Sequence, residues 1–202
     1  MNKIVAKDLI QIQAVQINPD NYFTWTSGIK SPIYCDNRLT MSYPKVRQHI
    51  VEAFTKMVND LSVQPDVIAG CATAGIPHAA WLADALDLPM VYVRSDHKSH
   101  GKQNKIEGHF NKGDRILVVE DLISTGGSSI DTALALREAG AQVTDVFAIF
   151  SYGLQRAAEN FKQANLEVQT ITSFAEIVQM LQDEEQLTAA EKASLIQWRD
   201  EL

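Results

Sequence analysis

The strongest chemical signal in the chain is one continuous run, Val118-Val119-Glu120-Asp121-Leu122-Ile123-Ser124-Thr125-Gly126-Gly127-Ser128. An apolar strand pattern ends in two adjacent carboxylates. Two apolar residues follow, and then small, hydroxyl-bearing and glycine residues open a helical pattern. Small residues at a helix N-terminus let backbone N–H groups converge on an anion, and the helix dipole favours negative charge there. The Ser and Thr hydroxyls add donors. This makes a phosphate cradle, without the lysine of a nucleoside-triphosphate loop and without the three-glycine dinucleotide fingerprint. Glu120 and Asp121 fall at the carboxyl end of a strand, where ligands of open α/β sheets bind. Carboxylates there suit the hydroxyls of an attached sugar, directly or through a divalent cation. Cradle and acids together describe a site for ribose 5-phosphate.

Two other segments carry chemistry. Residues 94–109 hold four cations, Arg94, Lys98, Lys102 and Lys105, against the acids Asp96 and Glu107, and three of the five histidines. A polar loop of this length in a compact domain is usually functional or disordered. Its reading here is a lid that brings cations to a leaving polyanion. Gly70-Cys71-Ala72-Thr73-Ala74-Gly75 is a second strand-to-helix turn of small residues, able to offer backbone N–H groups to another anion. Cys71 lacks a His–Asp pattern and is read as structural, as are His49 and His78 in helical stretches. No His/Cys cluster has zinc spacing.

These segments need a scaffold, and the rest of the chain supplies one. The sequence has 202 residues, 46% of them hydrophobic, enough for one domain with a real core. Eighteen Lys+Arg against 25 Asp+Glu leave a charge of −7, which argues against broad nucleic-acid binding. Two cysteines make no disulfide framework, and the N-terminus shows no signal-peptide pattern, so a cytoplasmic location is expected. No apolar run approaches the roughly 20 residues a membrane helix needs.

Apolar spacing predicts a helix over 2–16 and, from Pro44, a helix over 44–61. Residues 18–43 read as irregular, with an unusual density of aromatics. Strands are expected at 66–70, 90–93, 115–119, 143–150 and 166–171, with helices at 75–86, 127–139 and 154–164. That alternation gives an α/β fold with a mostly parallel central sheet flanked by helices. Ser173…Glu176 and Thr188…Glu191 fit the capping box, so two helices close the chain, the last of them acidic and read as solvated. The expected layout is a single domain over 1–202, with an N-terminal helix and hood (1–43), an α/β core (44–171) and C-terminal helices (172–202).

The run at 118–128 resembles the phosphoribosyl-pyrophosphate (PRPP) signature of type I phosphoribosyltransferases. Over residues 4–161 the chain is similar to the orotate phosphoribosyltransferases in their Gram-positive-type form. The likeness is densest at Phe23-Thr24-Trp25-Thr26-Ser27-Gly28-Ile29-Lys30-Ser31-Pro32-Ile33-Tyr34-Cys35-Asp36-Asn37-Arg38, at Ala72-Thr73-Ala74-Gly75-Ile76-Pro77-His78-Ala79-Ala80, and at the signature itself. The first of these, with Tyr92-Val93-Arg94-Ser95, separates orotate enzymes from purine ones.

The resemblance implies the type I fold with a small hood and a mobile catalytic loop. It also implies Mg²⁺-dependent transfer of ribose 5-phosphate from PRPP to N1 of orotate, in pyrimidine (UMP) biosynthesis. It assigns Lys98, Glu120 and Asp121 to catalysis. Arg94, Lys98, His100, Glu120, Asp121, Leu122, Ile123, Ser124, Thr125, Gly126, Gly127 and Ser128 would bind PRPP. Ser124, Tyr34 and Cys35 would bind orotate. Mg²⁺ would be held mainly through PRPP, with no direct protein ligand. The family implies a homodimer whose catalytic loop is shared between subunits, and no nucleic-acid or membrane partner. This chain departs from relatives at Thr26, Asp96 and Thr73-Ala74, where some carry lysine, lysine and Tyr-Lys. Arg156 is offset from a base-holding arginine of certain relatives, and that role is not carried over. The alternatives are a purine phosphoribosyltransferase and a non-catalytic PRPP-sensing regulator.

Overall fold

A computed structural model describes residues 2–24, 28, 30–94 and 105–202. The chain opens with α1 (Asn2–Gln11), β1 (Val15–Ile17), β2 (Phe23–Thr24), β3 (Lys30–Ser31), β4 (Ile33–Cys35) and a 3-10 helix (Asn37–Ser42). Next come α2 (Pro44–Asn59), β5 (Val67–Cys71), α3 (Gly75–Leu86), β6 (Met90–Val93), β7 (Ile106–Glu107), β8 (Ile116–Ile123) and α4 (Gly127–Glu138). The last third holds β9 (Asp145–Ser151), α5 (Gln155–Gln163), β10 (Glu167–Ser173), α6 (Phe174–Asp183) and α7 (Ala189–Asp200).

Six strands form the central sheet in the order β10-β9-β8-β5-β6-β7, parallel except for the antiparallel edge strand β7. The middle strands read as unbroken apolar runs because both faces are covered. All of β5 is buried, as are Ile116 to Glu120 of β8. On β9, Phe147 stacks on Phe54 of α2 with ring centroids 6.4 Å apart, and Phe150 meets Tyr152 edge-on at 5.4 Å.

The order of the strands locates the site. From β5 the chain steps to β6 on one side, then returns to place β8 on the other side of β5. The loops after β5 and β8 therefore diverge, leaving a crevice at the carboxyl ends of those two strands. Gly75, at the start of α3, closes its floor. A Cβ there would lie 2.4 Å from the Val119 carbonyl oxygen, so only glycine lets α3 come this close to β8.

The helix at 75–86 and the strand at 90–93 match their expected bounds. Others differ for physical reasons. The first helix stops at Gln11, Gln13 turns left-handed at φ 59°, and Val15 leaves the helical pattern to pair with Cys35. Residues 18–43 are more regular than their composition implies. Their strands are only two or three residues long, too short for periodicity to register. Strand β8 runs to Ile123, not to 119, because its ladder with β9 continues to Ile123↔Ser151. The acid pair thus lies inside a strand. Strand β10 likewise extends to Ser173, paired with Ser151.

Candidate active site

The acids come first. The β5–β8 ladder ends at Gly70↔Val119, so beyond that point β8 is paired only with β9. Glu120 is 6% exposed and Asp121 is half-buried. The Asp121 N–H donates to Glu120 Oε1 at 3.0 Å, and the Asp121 carbonyl accepts from Asn37 Nδ2 at 2.7 Å. Burial pushes the Glu120 carboxyl up to about 8, and the adjoining Asp121 adds to the rise. Burial raises Asp121 too, against the pull of the Arg38 charge. Two neighbouring carboxyls with little water favour one shared proton over two charges. Glu120 neighbours Cys71, while Asp121 neighbours Cys35 and Arg38. The pair therefore spans the crevice from the β5 side to the hood side.

The cradle follows directly. Gly126 takes φ 82° at the N-cap of α4, and a Cβ there would lie 2.6 Å from the Phe161 ring. No side chain caps this helix, so its first N–H groups keep their capacity for a ligand. Three carbonyls of the turn are already engaged. Ile123 O accepts from Tyr152 N at 3.1 Å, Thr125 O from Asn160 Nδ2 at 3.0 Å, and Gly126 O from Ser129 Oγ at 3.1 Å. The turn thus offers donors, as an anion requires. Thr125, Gly127 and Ser128 are exposed, and Leu122 and Ser124 are half-buried.

Beside the cradle lies a cavity of about 110 Å³, lined among others by Cys71, Ala72, Arg94, Lys105, Ser128 and Asp131. It joins the second small-residue turn to the base of the basic loop. Arg94 N donates to Lys105 O at 2.9 Å, and the Arg94 guanidinium pairs with Glu107 at 3.5 Å. The sequence marked Arg94 but gave Lys105 no specific role and left Asp131 aside. A register relating residue 94 to residue 105 was the missing signal. Lys98 and His100 lie outside the described residues, as do Trp25, Thr26 and Ile29. Burial, with the nearby Glu120 charge, pushes the Cys71 thiol up, and Thr132 Oγ1 donates to its sulfur at 3.3 Å. That is a packed thiol and not a nucleophile.

On the hood side Tyr34 is 39% exposed and Cys35 is half-buried. Phe23 and Tyr34 face each other with centroids 6.0 Å apart. Burial and the Asp121 charge raise the Cys35 thiol, which donates to Asn37 Oδ1 at 3.5 Å. The C-terminal helix reaches this region, because Trp198 Nε1 donates to Lys30 O at 3.2 Å. The acidic last helix is therefore more than a solvated surface. His49 pairs with Asp8 at 2.6 Å, tying α2 to α1. His78 is buried against Trp81, and burial lowers it to about 4.

Among the described residues no group of three or more His, Cys, Asp or Glu could hold a metal ion by itself. Glu120 and Asp121 are two adjacent carboxylates, and a Mg²⁺ ion held mainly by substrate phosphates and water would meet their negative charge in this crevice. Among the described residues no helix is long and apolar enough to cross a membrane.

The family described as phosphoribosyl transferase domain matches residues 42–185. The chain is 58% identical to the orotate phosphoribosyltransferase of Oceanobacillus iheyensis over 202 residues, 100% of both chains. Its structure is similar to that of orotate phosphoribosyltransferase from Aeropyrum pernix, with TM-score 0.78 and 28% identity over 88% of this chain and 98% of that one. It shares the fold of the Mycobacterium tuberculosis orotate phosphoribosyltransferase solved with 5-phospho-α-D-ribosyl 1-diphosphate, at TM-score 0.68 and 22% identity, covering 87% and 98% of the two chains.

Proposed function

The chain belongs to the orotate phosphoribosyltransferases of the phosphoribosyltransferase family, and from that membership we propose how its residues divide the work. The reaction moves ribose 5-phosphate from PRPP to N1 of orotate, giving orotidine 5′-phosphate and pyrophosphate, a step of pyrimidine biosynthesis. Pyrophosphate leaves C1 of the ribose, and positive charge develops on the ring, as at other glycosyl centres. The protein must stabilise a departing polyanion and hold two reactants in line.

The turn from Leu122 to Ser128 holds the 5-phosphate on the N–H groups that open α4. Glu120 and Asp121 hold the ribose hydroxyls. Arg94, with Lys98 and His100 from the loop, balances the leaving charge, and the cavity beside Arg94 and Ala72 receives the pyrophosphate. Tyr34 and Cys35 flank the orotate ring, and Ser124 meets its carboxylate. Mg²⁺ bound with PRPP would sit beside Glu120 and Asp121 and supply charge neutralisation at the diphosphate. The active form is a homodimer that shares the loop between subunits, and it works in the cytoplasm. The chain acts as one domain, with hood, core and C-terminal helices at 1–43, 44–171 and 172–202.

One observation carries this reading: a turn with three of its carbonyls engaged and its N–H groups free of a side-chain cap, just after an acid pair at the switch point of the sheet. The test is loss of orotate absorbance on addition of PRPP, with and without Mg²⁺, alongside hypoxanthine, adenine and uracil as alternative bases. Orotate alone should react, and only with Mg²⁺. Turnover of a purine in place of orotate, or nanomolar RNA binding with no pyrophosphate release, would overturn the reading.

A further inference from the structure

The edge of β8 beyond Val119 poses a problem that the sheet does not solve. β8 is registered to β9 through Glu120↔Ala148 and Leu122↔Phe150, while β5 has already ended its pairing at Gly70↔Val119. The Asp121 peptide between those pairs has a donor and an acceptor to satisfy. Side chains supply both, Glu120 for the N–H at 3.0 Å and Asn37 for the carbonyl at 2.7 Å. Asn37 is 1% exposed, which is unusual for an amide. It is also bonded at its other end. Its Oδ1 accepts from Cys35 Sγ at 3.5 Å, and its backbone carbonyl accepts from Thr40 Oγ1 at 2.6 Å.

We propose that Asn37 is a positioning residue: it takes the place of the missing strand neighbour, fixes the Asp121 backbone, and links the ribose acid to the base-side residues Tyr34 and Cys35. An amide suits this place because it donates to a carbonyl while accepting from a thiol. Aspartate would set an oxygen against the Asp121 carbonyl beside two carboxyls. Leucine of similar size would leave that carbonyl buried and unpaired. This inference rests on the assignment of Asp121 to the ribose.

The test is the kinetics of Asn37→Leu and Asn37→Asp with PRPP and orotate. Both KM values should rise, that for PRPP by about tenfold, with a smaller change in kcat. KM does not depend on the fraction of active enzyme, so a merely structural role would lower kcat and leave both KM values in place. Unchanged KM values overturn the proposal. Asp121→Asn serves as the control. If it leaves kcat/KM for PRPP unchanged, the assignment of Asp121 fails. If it lowers kcat/KM while the Asn37 variants leave both KM values in place, only the present inference fails. Should the variants not fold, the Asn37 side-chain amide resonances of the unaltered protein decide. Ribose 5-phosphate should shift them, and resonances that stay in place would overturn the proposal.

Discussion

Residues 116–128 and residues 30–43 meet at Asp121, yet they are held there in different ways. The first segment is a strand ladder running into a helix, with β9 beside it from Val118 to Ile123 and β5 beside it as far as Val119. The second is two short strands, paired with β1 and β2 over only two or three residues each, and a 3-10 helix, joined to the rest of the site by single side-chain bonds. Asn37 reaches Asp121, and Lys30 is reached by Trp198 of the C-terminal helix. Ladders resist local opening, whereas segments with few such bonds open easily. The phosphate side is therefore the fixed half of the site, and the base side is the half that other parts of the molecule set.

The largest expected effect falls on the fixed half. Asp121→Ala should lower kcat/KM for PRPP about 1000-fold, near 4 kcal/mol of transition-state stabilisation, with the fold intact by circular dichroism. A loss under tenfold would remove the acid from the mechanism.

Next is the loop lysine. By analogy with one oxyanion-stabilising donor, Lys98→Ala should reduce turnover about 100-fold, while PRPP binding by calorimetry changes less. Near-full turnover would reject its role.

The third prediction concerns pH. Glu120 in the folded protein titrates at about 8, against an ordinary value of 4.5. Between these values the native state binds more protons than the unfolded chain, so stability falls as pH rises through that window. Glu120→Gln removes this loss. The variant should gain about 3.5 kcal/mol on the unaltered protein between pH 5 and pH 8, read from urea midpoints. Parallel pH profiles would show that the carboxyl is charged throughout.

The smallest effect belongs to the hood. Trp198→Phe deletes the bond to Lys30 and should raise the orotate KM about fivefold, near 1 kcal/mol, while the PRPP KM holds. Equal changes in both KM values would mean that the two halves are not separately supported.

The same contrast governs what could be read from the sequence. The cradle is contiguous, and glycine, serine and paired acids at fixed spacing carry their chemistry wherever the strand and helix form. The helix at 75–86 and the strand at 90–93 are equally legible because their patterns are local. The hood was not, since Val15 joins Cys35 and Asn37 joins Asp121 only through the fold. Nothing in the spacing of Asn37 marks it, because its partner lies 84 residues away. Lys105 stood out only as one charge among four, until the backbone pairing of residues 94 and 105 brought it to Arg94 and Ala72.

A crystal structure with ribose 5-phosphate bound is the most direct test. The account predicts its phosphate on the N–H groups of residues 124–128 and its ring hydroxyls at Glu120 and Asp121. A phosphate held elsewhere, with the 124–128 turn occupied by water alone, would contradict it.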